Sequence, residues 1–224
     1  MVPYLHVTTH MEDHPHEALF REKGGRGFPT LKFMNAEGKI LGEPSGRSVE
    51  AFEASLHKLM AVTDLENRIA AGEKGLEKEL FFVKLRMGQY TYEEAKADAA
   101  KLKDLDPVQQ AELKVQLIGL EFDSIMEMMS TVRSQEEADE MMPKVGAKFF
   151  AMYQAGKIPE GQEKLGTFWS LIMEHAEALG DADLFELALN ALKVAFAEEE
   201  AAKDFFDQGD LKLKEMREKV KVDS

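Results

Sequence analysis

The chain reads as an α+β protein, with a short segment of strands and flanking helices over residues 1–62 and a larger all-α region over residues 63–224. Three observations predict this. Short β-prone runs punctuated by Gly-rich and Asn/Gly turns fill the first sixty residues, and from Thr63 onward almost every stretch repeats apolar residues at spacings of three and four. The charge divides at the same place: residues 1–62 carry 7 basic and 8 acidic side chains, a net of −1, whereas residues 63–224 carry 21 and 34, a net of −13. A chain of 224 residues, 44% of them hydrophobic, has enough material for one large domain or two small ones with buried cores.

In the first segment, Tyr4 to Thr8 is a short β-rich run, and His14 to Lys23 is an amphipathic helix offering Ala18, Leu19 and Phe20 for burial. Gly24-Gly25-Arg26-Gly27 ends that helix with residues free to adopt positive φ. A strand follows over Pro29 to Met34. Asn35-Ala36-Glu37-Gly38 turns the chain into a second strand near Lys39 to Leu41, with Gly where a tight turn needs it. Ser48 is a good N-cap for a helix whose Val49, Phe52, Leu56 and Leu59 share one face.

That order of strand, helix, Gly27-Phe28-Pro29-Thr30, hairpin, Gly46-Arg47 and closing helix resembles the C-terminal half of a thioredoxin domain, over about a quarter of the chain. The resemblance implies a truncated thioredoxin-like sheet in which Phe28, Pro29 and Thr30 dock substrate. In that reading Pro29 is a cis-proline beside backbone that pairs with an extended polypeptide; the plainer reading is a trans proline opening an edge strand. The family's chemistry needs a Cys-x-x-Cys turn at a helix N-terminus. This chain has no cysteine, so no catalytic residue carries over. The family's central strand is missing as well, which would leave unpaired backbone on its neighbours. The expected outcomes are a rearranged three-stranded sheet packed on the helices, a homo-oligomer in which a second chain completes the sheet, or a marginally folded fragment.

Beyond Thr63 the sequence predicts seven or eight helices joined by short loops, hence antiparallel neighbours. Leu76, Leu80, Val83 and Met87 make one face, and Asp106-Pro107 opens a long helix through Leu113, Leu117, Leu120, Ile125 and Met129. Later faces carry Phe150, Phe168, Trp169, Ile172, Leu184 and Leu192. The run Gly88-Gln89-Tyr90, Tyr92-Glu93-Glu94-Ala95, Ala99-Ala100 and Leu105-Asp106-Pro107 resembles a tetratricopeptide unit, and Gly180-Asp181-Ala182-Asp183 echoes its turn. The resemblance implies a stack of helical hairpins; a 92-residue separation between the two turns, no multiple of 34, leaves an irregular bundle as the other reading.

Composition narrows the chemistry. The net charge of −14 opposes a nucleic-acid partner, and no stretch approaches the length of apolar sequence a membrane helix needs. As written the chain reads as cytoplasmic, although a segment preceding Met1 could supply an export signal. His10, His14 and His16 are candidate metal ligands, but Glu12, Asp13 and Pro15 mark a polar loop, and no metal or other cofactor is expected. Met126, Met128, Met129, Met141 and Met142 fit adaptable core filling or a peptide-docking surface better than soft-metal coordination. His57 and His175 have no nucleophile beside them in sequence, Glu198-Glu199-Glu200 fits a solvated face, and the basic residues from Lys212 to Lys221 complement a helix terminus. No phosphate-cradling Gly-x-x-x-x-Gly-Lys occurs.

Two functions follow as expectations. One is a redox-inactive, thioredoxin-like module that binds a protein or peptide. The other is a shortened member of a thiol–disulfide oxidoreductase family, whose Cys-x-x-Cys segment would lie upstream of Met1.

Overall fold

The structure, a computed structural model, describes residues 19–25 and 29–222. The expected strand over Tyr4–Thr8 and most of the helix expected over His14–Lys23 lie outside those residues, as do His10, His14, His16 and Phe28. Contacts divide the chain into two compact units, Met1–Tyr90 and Thr91–Ser224.

In the first unit a short helix α1 (Leu19–Glu22) precedes strands β1 (Phe33–Met34) and β2 (Ile40–Gly42), followed by helices α2 (Val49–Ala70) and α3 (Glu77–Arg86). The two strands pair antiparallel, Phe33 opposite Gly42 and Met34 opposite Ile40, with an irregularity between Phe33 and Met34. Their turn closes as its residues demand. Asn35 donates its N–H to Lys39 O (3.0 Å), its Oδ1 accepts from Lys39 N–H (2.8 Å), and Gly38 sits at φ +74 where a side chain would be strained.

The fold-class expectation of an α+β chain built on a truncated thioredoxin-like sheet is overturned. The chain is mostly α-helical, and among the described residues the sheet is a single two-stranded pair. Pairing stops early for a physical reason. Pro29 has no N–H to give to a ladder, and after Gly42 the opposite arm runs into Pro44 and Gly46 before Ser48 starts α2, so the arms diverge instead of extending.

Ser48 caps α2, its hydroxyl accepting from Ala51 N–H at 3.2 Å. The helix buries Ser55, Leu59, Val62 and Leu65, while Val49, in its first turn, stays exposed. Phe33 is buried beneath the hairpin with its ring 4.7 Å from that of Phe52. In α3 the buried residues are Phe81, Phe82 and Leu85, on the side opposite the expected Leu76, Leu80, Val83 and Met87 face, whose members are half-buried.

The second unit is helical: α4 (Tyr92–Ala99), α5 (Pro107–Glu127), α6 (Gln135–Gln154), α7 (Gln162–Leu179), α8 (Ala182–Ala195) and α9 (Lys203–Val222). The starts of α4 and α5 are reciprocal capping boxes, Thr91 with Glu94 and Asp106 with Gln109, the latter reinforced by Pro107 at the first helical position. Gly180 in the left-handed conformation ends α7, and Asp181 caps α8 at once, giving the tightest of the helix connections. The core is aromatic at its centre. Phe122 stacks on Phe149 at 4.9 Å, Phe149 meets Phe168 at 5.2 Å, and Trp169 lies edge-on to Phe168. Val145, Phe149, Phe168 and Ile172 are fully enclosed.

Candidate functional site

Beyond β1 and β2 the two diverging arms of the hairpin leave an open cleft of about 720 Å³. One wall is Pro29-Thr30-Leu31-Lys32 and the other Glu43-Pro44-Ser45-Gly46-Arg47, with Gly24 at the edge. The arms are joined across the cleft by Lys32 Nζ, 2.6 Å from Glu43 Oε1. The lysine is mostly covered and the glutamate exposed, so the pair gives orientation and contributes little stability.

The second wall is held from below by α2. Ser55, 6% exposed, donates its hydroxyl proton to Ala51 O (2.8 Å) and accepts from Ser45 N–H (2.9 Å). With that proton used, the 3.2 Å contact between the two serine hydroxyls has Ser45 as donor. Gly46 lies so close to α2 that a Cβ there would stand 3.1 Å from the Ala51 Cβ, which keeps the wall low at that point.

Pro29 is exposed and Thr30 half-buried, and both line the cleft; Phe28 lies outside the described residues. Gly46 and Arg47, singled out in sequence for the same resemblance, line it too. The structure thus brings together two motif segments separated in sequence by the whole hairpin. Sequence reasoning missed the supporting pair Ser45 and Ser55. Ser55 stands four residues before Leu59 and seven before Val62, so a hydroxyl on the buried stripe of α2 was the available signal.

Chemically the cleft offers an ammonium, a carboxylate, a guanidinium and hydroxyl groups beside extended backbone, together with the exposed apolar side chains of Leu31, Met34 and Ile40 on the same hairpin. The Gln89 amide donates to the Leu41 carbonyl of β2.

The other sequence candidates fall elsewhere. His57 is exposed on α2, and His175 is half-buried with its ring 6.2 Å from that of Phe150. Among the described residues no group of three His, Cys, Asp or Glu side chains is placed to hold a metal ion, and no helix is long and apolar enough to cross a membrane. In the second unit Lys157 Nζ binds both oxygens of Glu121 (2.8 and 3.1 Å). That hydrogen bond raises the lysine's pKa, while burial first and then the Glu121 charge raise that of Tyr92. The cluster ties α4 and the α6–α7 connection to α5.

Comparison with protein-family models, curated proteins and solved structures found no match to the chain.

Proposed function

We propose that the chain is a non-catalytic protein-interaction module whose cleft between Pro29–Lys32 and Glu43–Arg47 takes an extended peptide. The observation that carries this reading is the convergence of the Pro29-Thr30 and Gly46-Arg47 segments on one open cleft next to a two-stranded sheet. A peptide laid between the diverging arms meets the backbone of residues 29–32 and 43–47 beyond the two-stranded ladder, and strand addition uses such backbone for affinity and neighbouring side chains for selectivity. Lys32 and Arg47 supply donors for peptide carbonyls or acidic side chains, and Leu31 supplies apolar contact.

A second reading places the chain in the thioredoxin-like lineage of thiol–disulfide oxidoreductases, favoured by the Gly27-Phe28-Pro29-Thr30 motif and its hairpin. With no cysteine among its 224 residues the chain brings no thiolate of its own, so the lineage would survive here as a docking surface.

The test is fluorescence anisotropy with a labelled, reduced and carboxamidomethylated insulin B chain as an extended polypeptide. Saturable binding weakened about tenfold by Leu31→Asp or Arg47→Glu supports the cleft. Binding that ignores both substitutions, or no binding at all, removes it. Insulin-disulfide reduction above a buffer control would contradict the non-catalytic reading.

A further inference from the structure

The charge along the hairpin cleft bears on which peptides it takes. Residues 19–47 carry six basic and three acidic side chains, a net of +3 within a chain of −14. This stretch is a basic island in an acidic protein. Among the described residues, the charged side chains that line the cleft are Lys32, Glu43 and Arg47, two cations against one carboxylate.

The two cations differ in setting. Lys32 is 13% exposed, and its ammonium lies beside the end of α1, where a Cβ on Gly24 would stand 3.8 Å from Nζ. Its one acceptor among the described residues is Glu43 Oε1 at 2.6 Å, so an ammonium with three protons keeps capacity to donate. Arg47 is exposed, and among the described residues its guanidinium has no ion pair or hydrogen bond. Glu50, the next acid along the chain, belongs to the first turn of α2, where its own N–H and the Ser48 hydroxyl lower its pKa.

One carboxylate from a ligand balances the lining charge. Hydrogen bonds between ionised partners are about twice as strong as neutral ones, and a covered ammonium makes them where water competes least. A basic side chain would meet Lys32 and Arg47 as like charge, and a nucleic acid needs a longer row of cations than these two.

We infer that the hairpin cleft selects extended peptides carrying an acidic side chain, whose carboxylate is received by the Lys32 ammonium and the Arg47 guanidinium. This rests on the cleft being a peptide site and adds its selectivity. Glu43 is the intramolecular competitor: 62% exposed, it holds the same ammonium from the rim and repels an incoming carboxylate.

The probes are three peptides of about 10 residues that alternate Thr and Val around a central Glu, Gln or Lys. Each carries a fluorophore at its N-terminus and an amide at its C-terminus, so the central side chain is the only charge that varies. Anisotropy titrations against the full chain should show the Glu peptide binding about tenfold tighter than the Gln peptide, and the Lys peptide weaker than either. In Glu43→Gln the preference for Glu over Gln should grow about threefold, and in Lys32→Gln it should fall to about one. Glu43 stands at the exposed rim, so its substitution does not put folding at stake.

Equal binding of the Glu and Gln peptides would overturn the selectivity and leave the peptide site standing. So would a preference that neither substitution alters, because the carboxylate is then received elsewhere, or tightest binding of the Lys peptide, because the charge of the whole chain then governs. Binding of none of the three would remove the peptide site and its selectivity together.

Discussion

Replacing Gly146 by alanine should damage the helical unit far more than a single methyl group normally does. Gly146 is buried in α6, and a Cβ built on it would stand 1.9 Å from the Leu171 carbonyl oxygen, 2.9 Å from its carbon and 2.8 Å from His175 Cβ. The obstacle is backbone of α7, which cannot rotate away as a side chain can. Ordinary contact begins near 3.4 Å, so α6 and α7 must part by about 1.5 Å. A gap of half that size already forfeits a quarter to a half of each dispersion contact it opens. The contacts at risk are those of Val145, Phe149, Phe168 and Ile172, all fully enclosed. Overpacking costs about 1–3 kcal/mol and occasionally more; a backbone obstacle at this distance puts Gly146→Ala at the upper end. Alanine's better helix propensity returns only about 1 kcal/mol.

Gly119 provides the matched control. It lies inside α5, and a Cβ there would meet only Lys164 Nζ at 3.8 Å, an ordinary contact with the end of a flexible side chain. Gly119→Ala should therefore stabilise by about 0.8–1 kcal/mol. The sole tryptophan, Trp169, is buried in the same core, so its fluorescence in a urea titration reads this unit directly. With a slope of about 1–3 kcal/mol/M, Gly146→Ala should lower the midpoint by about 1 M, and Gly119→Ala should raise it by about 0.5 M. A Gly146→Ala midpoint indistinguishable from that of the unsubstituted chain would refute the close approach of α6 to α7.

Three further outcomes follow from individual contacts. Asp181→Ala removes the acceptor for Asp183 N–H (3.2 Å) and Leu184 N–H (3.0 Å) and should cost about 1 kcal/mol; Trp169 fluorescence in urea should show the loss, and Asp181→Ser should recover most of it. Ser55→Ala removes the acceptor that fixes Ser45, so hydrogen exchange at the Ser45 amide should accelerate about tenfold, equivalent to a lost bond of about 1 kcal/mol. Desolvation, followed by the charges of Glu177 and Asp139 and opposed by Lys212, raises the Glu174 pKa above the usual glutamate value. A raised folded pKa means the folded state holds that proton more tightly, so the contribution is present below the unfolded pKa and lost as pH rises through the folded one. Glu174→Gln should accordingly raise the urea midpoint at neutral pH and lose that advantage near about pH 3.5, where the carboxyl is protonated in both states.

Local signals in the sequence were legible where one residue type answers one backbone demand. Ser48 caps α2, Asp106 and Pro107 start α5, and Gly38 takes positive φ in the hairpin turn. The extent of the sheet was not legible, because a β-prone run becomes a strand only if the opposite arm stays alongside, and Pro44 and Gly46 turn that arm away. The phase of α3 misled for another reason. That helix carries apolar residues on both sides, so its period shows a helix while the choice between the Leu80 and Phe82 faces depends on what packs against it. The cleft was half visible, since Pro29, Thr30, Gly46 and Arg47 could be singled out by resemblance. The serine pair beneath it needed the geometry of α2. Gly146 gave no sequence signal, because a glycine in a helix looks like a weakness until the neighbouring backbone is seen at its Cα.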